Sequence, residues 1–300
     1  MDRVLVAGAS GFLGRHVVRE LGARDYGVRA LIRDPDKREL IEGTQDTIAI
    51  DLLKNPGAQI HNAMEGIDVV FSAAGQPCTL RRTTDRRSFR HVDPQINLTL
   101  LRAAIAQGVR KFVYVTVLAG PQLHDLDYVY AHEQFIDELE ASPIDYTVVR
   151  ANGFFYSYID LLDFARRGLA IGFADGNARS NPIHEADLAL VCVEAIESPH
   201  REIDVGGPET FTRREELELA FAAVERRTRV LRIPGPLLKA VLPLIRLGDR
   251  RRGEMLEFLA AISATDVLAP AHGSRRLEDY LREHAEETSQ TRSRRHCRRA

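Results

Sequence analysis

The sequence has no tryptophan, and only three methionines and three cysteines, among 300 residues. Cys78, Cys192 and Cys297 stand alone. They give neither the paired spacing of a metal site nor an even-numbered disulfide framework, which suits a reducing compartment. No metal is expected. A long apolar run is missing too. The longest, Pro236 to Leu247, is shorter than the roughly 20 residues of a bilayer-spanning helix and carries Lys239 and Arg246. No sign of charge dominates: 41 basic residues against 43 acidic give a net charge of −2, so no chain-wide field points to nucleic acid. The first residues enter a strand pattern at once, leaving no room for a signal peptide. With the cysteines, this predicts a cytoplasmic protein without a transmembrane segment. No internal repeat is found.

What is present starts at residue 4. Val4-Leu5-Val6-Ala7 runs into a turn with Gly8, Gly11 and Gly14, and the turn opens the amphipathic run His16 to Leu21. A strand, a glycine turn and a helix start place backbone N–H groups and the positive helix end against a dinucleotide pyrophosphate. Gly8 would permit the turn, Gly11 the close approach of phosphate, and Gly14 the packing of helix on strand. Gly8, Ser10, Gly11, Phe12, Leu13 and Gly14 are the candidate pyrophosphate residues.

Apolar runs alternate with helical patterns through residue 150: Arg3–Ala7, Val28–Ile32, Thr47–Ile50, Asp68–Phe71, Phe112–Thr116 and Tyr146–Val149. They are mostly continuous rather than alternating, as in strands covered on both faces. The prediction is α/β: a Rossmann-type doubly wound parallel sheet with a smaller C-terminal substrate lobe. Residues 1–150 form the dinucleotide-binding core. Residues 151–287 form a lobe interleaved with the end of the sheet, and 151–183 look loop-rich. Thr212-Arg213-Arg214-Glu215 is a capping box before a helix reaching Arg226. Residues 288–300 carry Arg292, Arg294, Arg295, Arg298 and Arg299 with little apolar content, which predicts a disordered basic tail.

The second strand ends Leu31-Ile32-Arg33-Asp34-Pro35-Asp36-Lys37. An NAD enzyme usually has an acid here for the ribose hydroxyls. Arg33, helped by Lys37, could take a 2′-phosphate bidentately, so NADP(H) is favoured over NAD(H). Asp34 binding the ribose is the competing reading.

The chain resembles the short-chain dehydrogenase/reductase superfamily. The resemblance rests on the G-x-x-G-x-x-G turn, Asp51-Leu52, Phe71 to Gly75, Lys111 to Thr116, Asp145 to Arg150 leading into Asn152-Gly153-Phe154-Phe155, Asn181-Pro182-Ile183-His184, and Gly206-Gly207-Pro208-Glu209. The later motifs look most like the NmrA-like atypical group, and the layout is similar to the divinyl chlorophyllide vinyl reductases. The resemblance implies that Asp51 and Leu52 contact adenine, and that Ala73, Ala74, Thr116, Asn152 and Phe154 line the cofactor. It leaves open a homodimer through the helices beside the fourth and fifth strands.

Most active members of that superfamily pair Tyr-x-x-x-Lys with a Ser or Thr. Register puts Tyr128 at the tyrosine position and His132 at the lysine position. The hydroxyl position falls at Val117 beside Thr116, and Asp93 replaces a helix asparagine, with Asn97 one turn on. Tyr128 and His132 are the candidate catalytic pair; both being structural is the alternative. The loop with Arg81, Arg82, Arg86, Arg87 and Arg90 either clamps an anionic substrate group or is a solvated surface. Cys78 reads as a small buried residue, and His184 and Asp187 as loop and helix-start residues. Two functions compete. One is NADPH-dependent reduction of a carbonyl or activated C=C bond in a medium-sized, partly apolar small molecule. The other is an NADP(H)-binding redox-sensing regulator or assembly factor. An isomerase is less favoured without the tyrosine–lysine pair.

Overall fold

A computed structural model of the protein describes residues 1–44, 46–54, 56–79 and 85–297, with side chains given through residue 287. Arg81, Arg82, Arg298 and Arg299 lie outside the described residues. The first half runs β1 (Arg3–Ala7), α1 (Phe12–Ala23), β2 (Gly27–Ile32), β3 (Asp46–Ala49), α2 (Ala58–Met64), β4 (Val69–Ser72), α3 (Phe89–Ala106), β5 (Lys111–Val117), α4 (Asp127–Glu140) and β6 (Asp145–Ala151). The second half runs α5 (Ile159–Arg167), β7 (Ala170–Gly172), β8 (Arg179–Ser180), α6 (Glu185–Glu194), β9 (Glu202–Val205), β10 (Phe211–Thr212), α7 (Arg213–Ala222), β11 (Val230–Arg232), α8 (Gly235–Gly248), α9 (Arg250–Ile262) and α10 (Leu277–Cys297).

Seven strands form one parallel sheet in the order β3-β2-β1-β4-β5-β6-β9. Val4 of β1 lies opposite Val28 on one side and Val69 on the other. The order reverses between β1 and β4, which opens a crevice at the carboxyl ends of the strands. Both faces are covered, and this explains the unbroken apolar runs. Along β1, Val4 and Val6 enter the layer of α1 and α6, while Leu5 and Ala7 enter the layer of α2, α3 and α4.

The seventh strand comes from the second half of the chain. β9 pairs with β6, with Arg150 opposite Asp204, and α6 packs on α1. Residues 185–205 therefore belong to the sheet layers, although they follow the first lobe segment. Two small sheets, β10-β8 and β11-β7, brace the lobe. Its core holds Phe155, Leu162, Ala220 and Leu281. α9 reaches back, placing Met255 and Phe258 beside Tyr128 and Phe89.

Two sequence expectations need correction. The loop-rich 151–183 contains a nine-residue helix, α5, closed by Gly168 at φ +80°. The capping box of Thr212 and Glu215 is present, but α7 ends at Ala222 rather than Arg226. α10 runs to Cys297.

Candidate active site

The glycine turn is built as a cradle. Gly8 has φ +79°, and a Cβ there would meet Ala73 O at 2.8 Å. Gly14 is tighter still: its Cβ would lie 2.2 Å from Gly8 O, so only glycine lets α1 start this close to β1. Gly11 differs. It is exposed, its backbone (φ −73°, ψ 169°) suits any residue, and a Cβ would meet only Gly8 O, at 3.1 Å. Gly11 caps α1 with no side-chain partner for the first-turn N–H groups, and no acid stands in that turn. Free amides, the positive helix end and an open Gly11 together fit a pyrophosphate.

The residues expected on the adenosine side lie at the ends of β2 and β3. Arg33 is exposed, and no hydrogen bond or ion pair holds it among the described residues. Asp34 accepts from Asp36 N at 3.1 Å and so caps its own short turn, Pro35–Leu40, which also carries exposed Lys37. That use of Asp34 favours Arg33 as the group meeting the cofactor. Asp51 accepts from Leu53 N and pairs with Lys54 at 3.4 Å; Leu52 is buried. Loss of the Arg33 guanidinium, a bidentate partner worth roughly 1.5–3 kcal/mol, should cost NADPH about tenfold or more in affinity. Calorimetry of Arg33→Ala with both cofactors checks this: NADPH should weaken and NADH should not.

From the turn, a cleft of about 460 Å³ runs across the strand ends into the lobe. Gly8, Gly11, Phe12, Leu13, Gly14, Ala73, Ala74, Thr116, Tyr128, His132, Asn152 and Phe154 line it, so the structure brings most of the sequence candidates together. Ser10, Arg33, Lys37, Asp51 and Leu52 stand outside it. Phe12 stacks on Tyr156 across the rim, with centroids 4.0 Å apart and planes 14° from parallel. Asn152 commits its side chain to the lobe, donating to Asn181 Oδ1 and Val267 O while accepting from Gly153 N.

Tyr128 and His132 touch edge-on, with centroids 5.0 Å apart. Neither is tuned as the resemblance requires. Burial, followed by the positive charge of Arg150, lowers the His132 pKa to about 4, so the imidazole is neutral at pH 7 and is no substitute for a lysine charge. Its Nδ1 meets Tyr114 Oη at 2.6 Å. Burial, with the nearby Cys78 and Asp93, raises the Tyr128 phenol well above its ordinary range. Cys78 is no nucleophile: burial pushes its thiol to about 11, and its sulfur rests 3.7 Å from Met255 Sδ.

Five buried polar atoms on cleft-lining residues have no hydrogen-bond partner among the described residues. Four are Gln76 Oε1, Asp93 Oδ2, Thr116 Oγ1 and His132 Nε2, from the strand ends and the helices beside them; the fifth, Arg213 Nε, belongs to α7. Buried polar groups are normally paired, so such a cluster points to a ligand. Asp93 is the one sequence reasoning undervalued. Its Oδ1 accepts from Gln76 N at 2.8 Å, and burial raises its pKa to about 7 despite that bond. Asn97, one turn on, is spent on structure: it accepts from Ser72 Oγ and donates to Ala74 O and Asp93 O. The available signal was a polar pair, Asp93 and Asn97, at i and i+4 among Val92, Ile96 and Leu100 on the buried face of α3.

The basic loop does not enter the cleft through its described arginines. Arg90 pairs with Asp127 and lies over Tyr130, Arg86 reaches Gly248 O at 3.5 Å, and Arg87 forks onto Asp85. Asp85 in turn feels the charge of Arg33. His184 and Asp187 are structural, as the sequence suggested. His184 caps α6 by accepting from Ala186 N, and Asp187 holds the backbone at Ser274 and Arg275.

Residues 8–199 match the family model described as NAD(P)H-binding. The chain belongs to that NAD(P)H-binding family. It is 27% identical over 268 residues to the divinyl chlorophyllide a 8-vinyl-reductase of Arabidopsis thaliana, covering 81% of this chain and 62% of that protein. It is 31% identical over 160 residues to the photosystem II assembly factor Ycf39 of a Synechocystis strain, covering 52% of this chain and 46% of that one. The chain thus spans less than two thirds of the length of these relatives. In fold it is similar to the NADPH-dependent quinone oxidoreductase QOR2 of Escherichia coli, with a TM-score of 0.64, 17% identity, and coverage of 95% of this chain and 99% of that one. The small-molecule ligand of this NAD(P)H-binding protein is a nicotinamide dinucleotide. No described helix is long and apolar enough to cross a membrane.

Proposed function

We propose that this protein is an NADPH-dependent reductase of a carbonyl or activated C=C bond in a medium-sized, partly apolar molecule. The observation that carries the reading is the cleft itself. Beyond the dinucleotide turn it is lined by Leu161, Phe164, Phe258 and Leu259, and unpartnered polar atoms stand at the strand ends. Bound NADPH supplies the hydride. The chain supplies the rest: an apolar cleft that limits water, Thr116 Oγ1 and His132 Nε2 as groups for the reacting carbonyl or the cofactor ribose, and a proton. We assign the proton to Asp93 Oδ2, a buried carboxyl whose pKa burial raises to about 7. Tyr128 then positions the site through its packing on Phe89, His132 and Phe258.

Consumption of NADPH with a panel of quinones, enones and aldehydes tests the activity; at least one should be reduced. Tyr128→Phe separates the two proton assignments. With Asp93 as donor it should cost less than about tenfold in turnover, whereas a tyrosine donor would cost about a hundredfold or more.

The second reading, a NADP(H)-binding regulator or assembly factor, is favoured by the neutral His132 and the untuned Tyr128. It predicts no consumption across the panel and a partner retained in only one cofactor redox state.

A further inference from the structure

Residues 226–252 gather nine basic side chains and one acid, Asp249, in a chain of net charge −2. Arg246, Arg250 and Arg251 are committed within the protein, to Glu257, Glu254 and the carbonyls of Pro77 and Thr79. Arg226, Arg227, Arg229 and Lys239 are exposed and make no ion pair among the described residues. In the same stretch, α8 buries Leu238 and Leu242 and packs on α9. Its other side holds Leu237, Val241, Leu244 and Leu247 out to solvent, Leu244 at 68% and Leu247 at 85% exposure. Spacings of four, three and three residues put these four on one helix face. Just before α8 in the chain, β11 also exposes an apolar side chain: Leu231 is 56% exposed and pairs with Ile171, a residue that lines the cleft.

We propose that α8 is an interfacial helix that docks the protein on an anionic lipid surface, with the rim of the cleft beside it. An amphipathic helix flanked by free cations and lacking free acids matches a negatively charged bilayer: leucines enter the acyl boundary and the cations meet headgroups. The run is too short to span, and no described helix crosses a membrane, so the helix lies in the interface plane. A second copy of the chain fits the face poorly, because a two-fold contact through α8 would oppose two cationic segments. The inference stands on this surface and does not depend on what the cleft reduces.

Co-sedimentation of the full chain with vesicles tests it. At about 0.1 M salt the protein should bind phosphatidylcholine vesicles containing about one third phosphatidylglycerol and ignore pure phosphatidylcholine; about 0.5 M salt should release most of it. Leu244→Glu with Leu247→Glu should weaken binding at least about tenfold, with the circular dichroism spectrum and NADPH affinity of the parent. Arg229→Glu with Lys239→Glu reads the charge contribution independently and should also weaken binding. No binding of the parent to anionic vesicles overturns the proposal, as does equal binding by both variants. Light scattering covers the copy interface: if the parent is a dimer that the leucine variant splits while vesicles are ignored, α8 joins two chains and the proposal falls.

Discussion

Asp93→Asn should lower turnover by about 10²–10⁴-fold, the span of a lost general acid, and leave NADPH affinity within about threefold of the parent. The pH profile gives the sign. A donor must be protonated, so turnover in the parent should fall as pH rises through about 7, and this limb should vanish in Asp93→Asn. Stability also falls with rising pH, but over a lower range. The folded-state pKa is raised, so the native protein holds a proton that the unfolded chain releases above about 4. Asp93 therefore favours folding at low pH, and that contribution is lost as pH rises toward about 7. Asparagine removes the cost of a buried ionised carboxylate. Above pH 7.5 the variant should be more stable by roughly 1–3 kcal/mol, about 2–4 °C in Tm per kcal/mol, and no more stable near pH 4. Thermal melts at the two pH values check this, and a gain in stability with a loss in turnover identifies a strained functional acid rather than a packing residue.

Gly11→Val should abolish tight NADPH binding while sparing the fold. A Cβ at Gly11 meets only one carbonyl oxygen, at 3.1 Å, and the backbone there suits a branched residue. The side chain would fill the space above the open amides of α1. An affinity loss of at least about a hundredfold, on the order of 3 kcal/mol, is expected, with the Tm of the cofactor-free protein within about 2 °C of the parent. Gly14→Val is the contrast, because its Cβ would sit 2.2 Å from Gly8 O and the strand–helix junction itself should fail. Calorimetry and thermal melts on both variants separate cofactor contact from folding.

The sheet was legible because its residues are read twice, by apolar continuity and by the glycine turn. Val4 and Leu5 face opposite layers, and both layers are dry. β9 was visible only as Ile203-Asp204-Val205, since its exposed face carries Glu202 and Asp204 and its pairing with β6 is set by chain reversal through the lobe. Local pattern also missed α5, where Phe164 and Ala165 pack against α7 rather than the sheet. The site was half legible. Spacing along α4 put Tyr128 and His132 on one face, but charge depends on surroundings: burial and Arg150 keep His132 neutral, and Tyr114 and Arg150 come from β5 and β6. Asp93 looked like a lost asparagine. Its depth and its unpartnered oxygen follow from α9 packing over the start of α3, more than 150 residues later in the chain. The exposed leucines of α8 hid for the opposite reason: a run of apolar residues reads as core whether or not anything covers it.

Deuterium transfer tests most directly whether NADPH bound to this protein delivers a hydride. The protein is loaded with NADPH carrying deuterium at the nicotinamide C4, on each face in turn, and mixed with a substrate found in the electrophile panel. One deuterium should reach the product from one face only, delivered by the parent and delivered far more slowly by Asp93→Asn. Product free of deuterium from both faces, or tight NADPH binding with no reduction of any electrophile, would contradict hydride delivery.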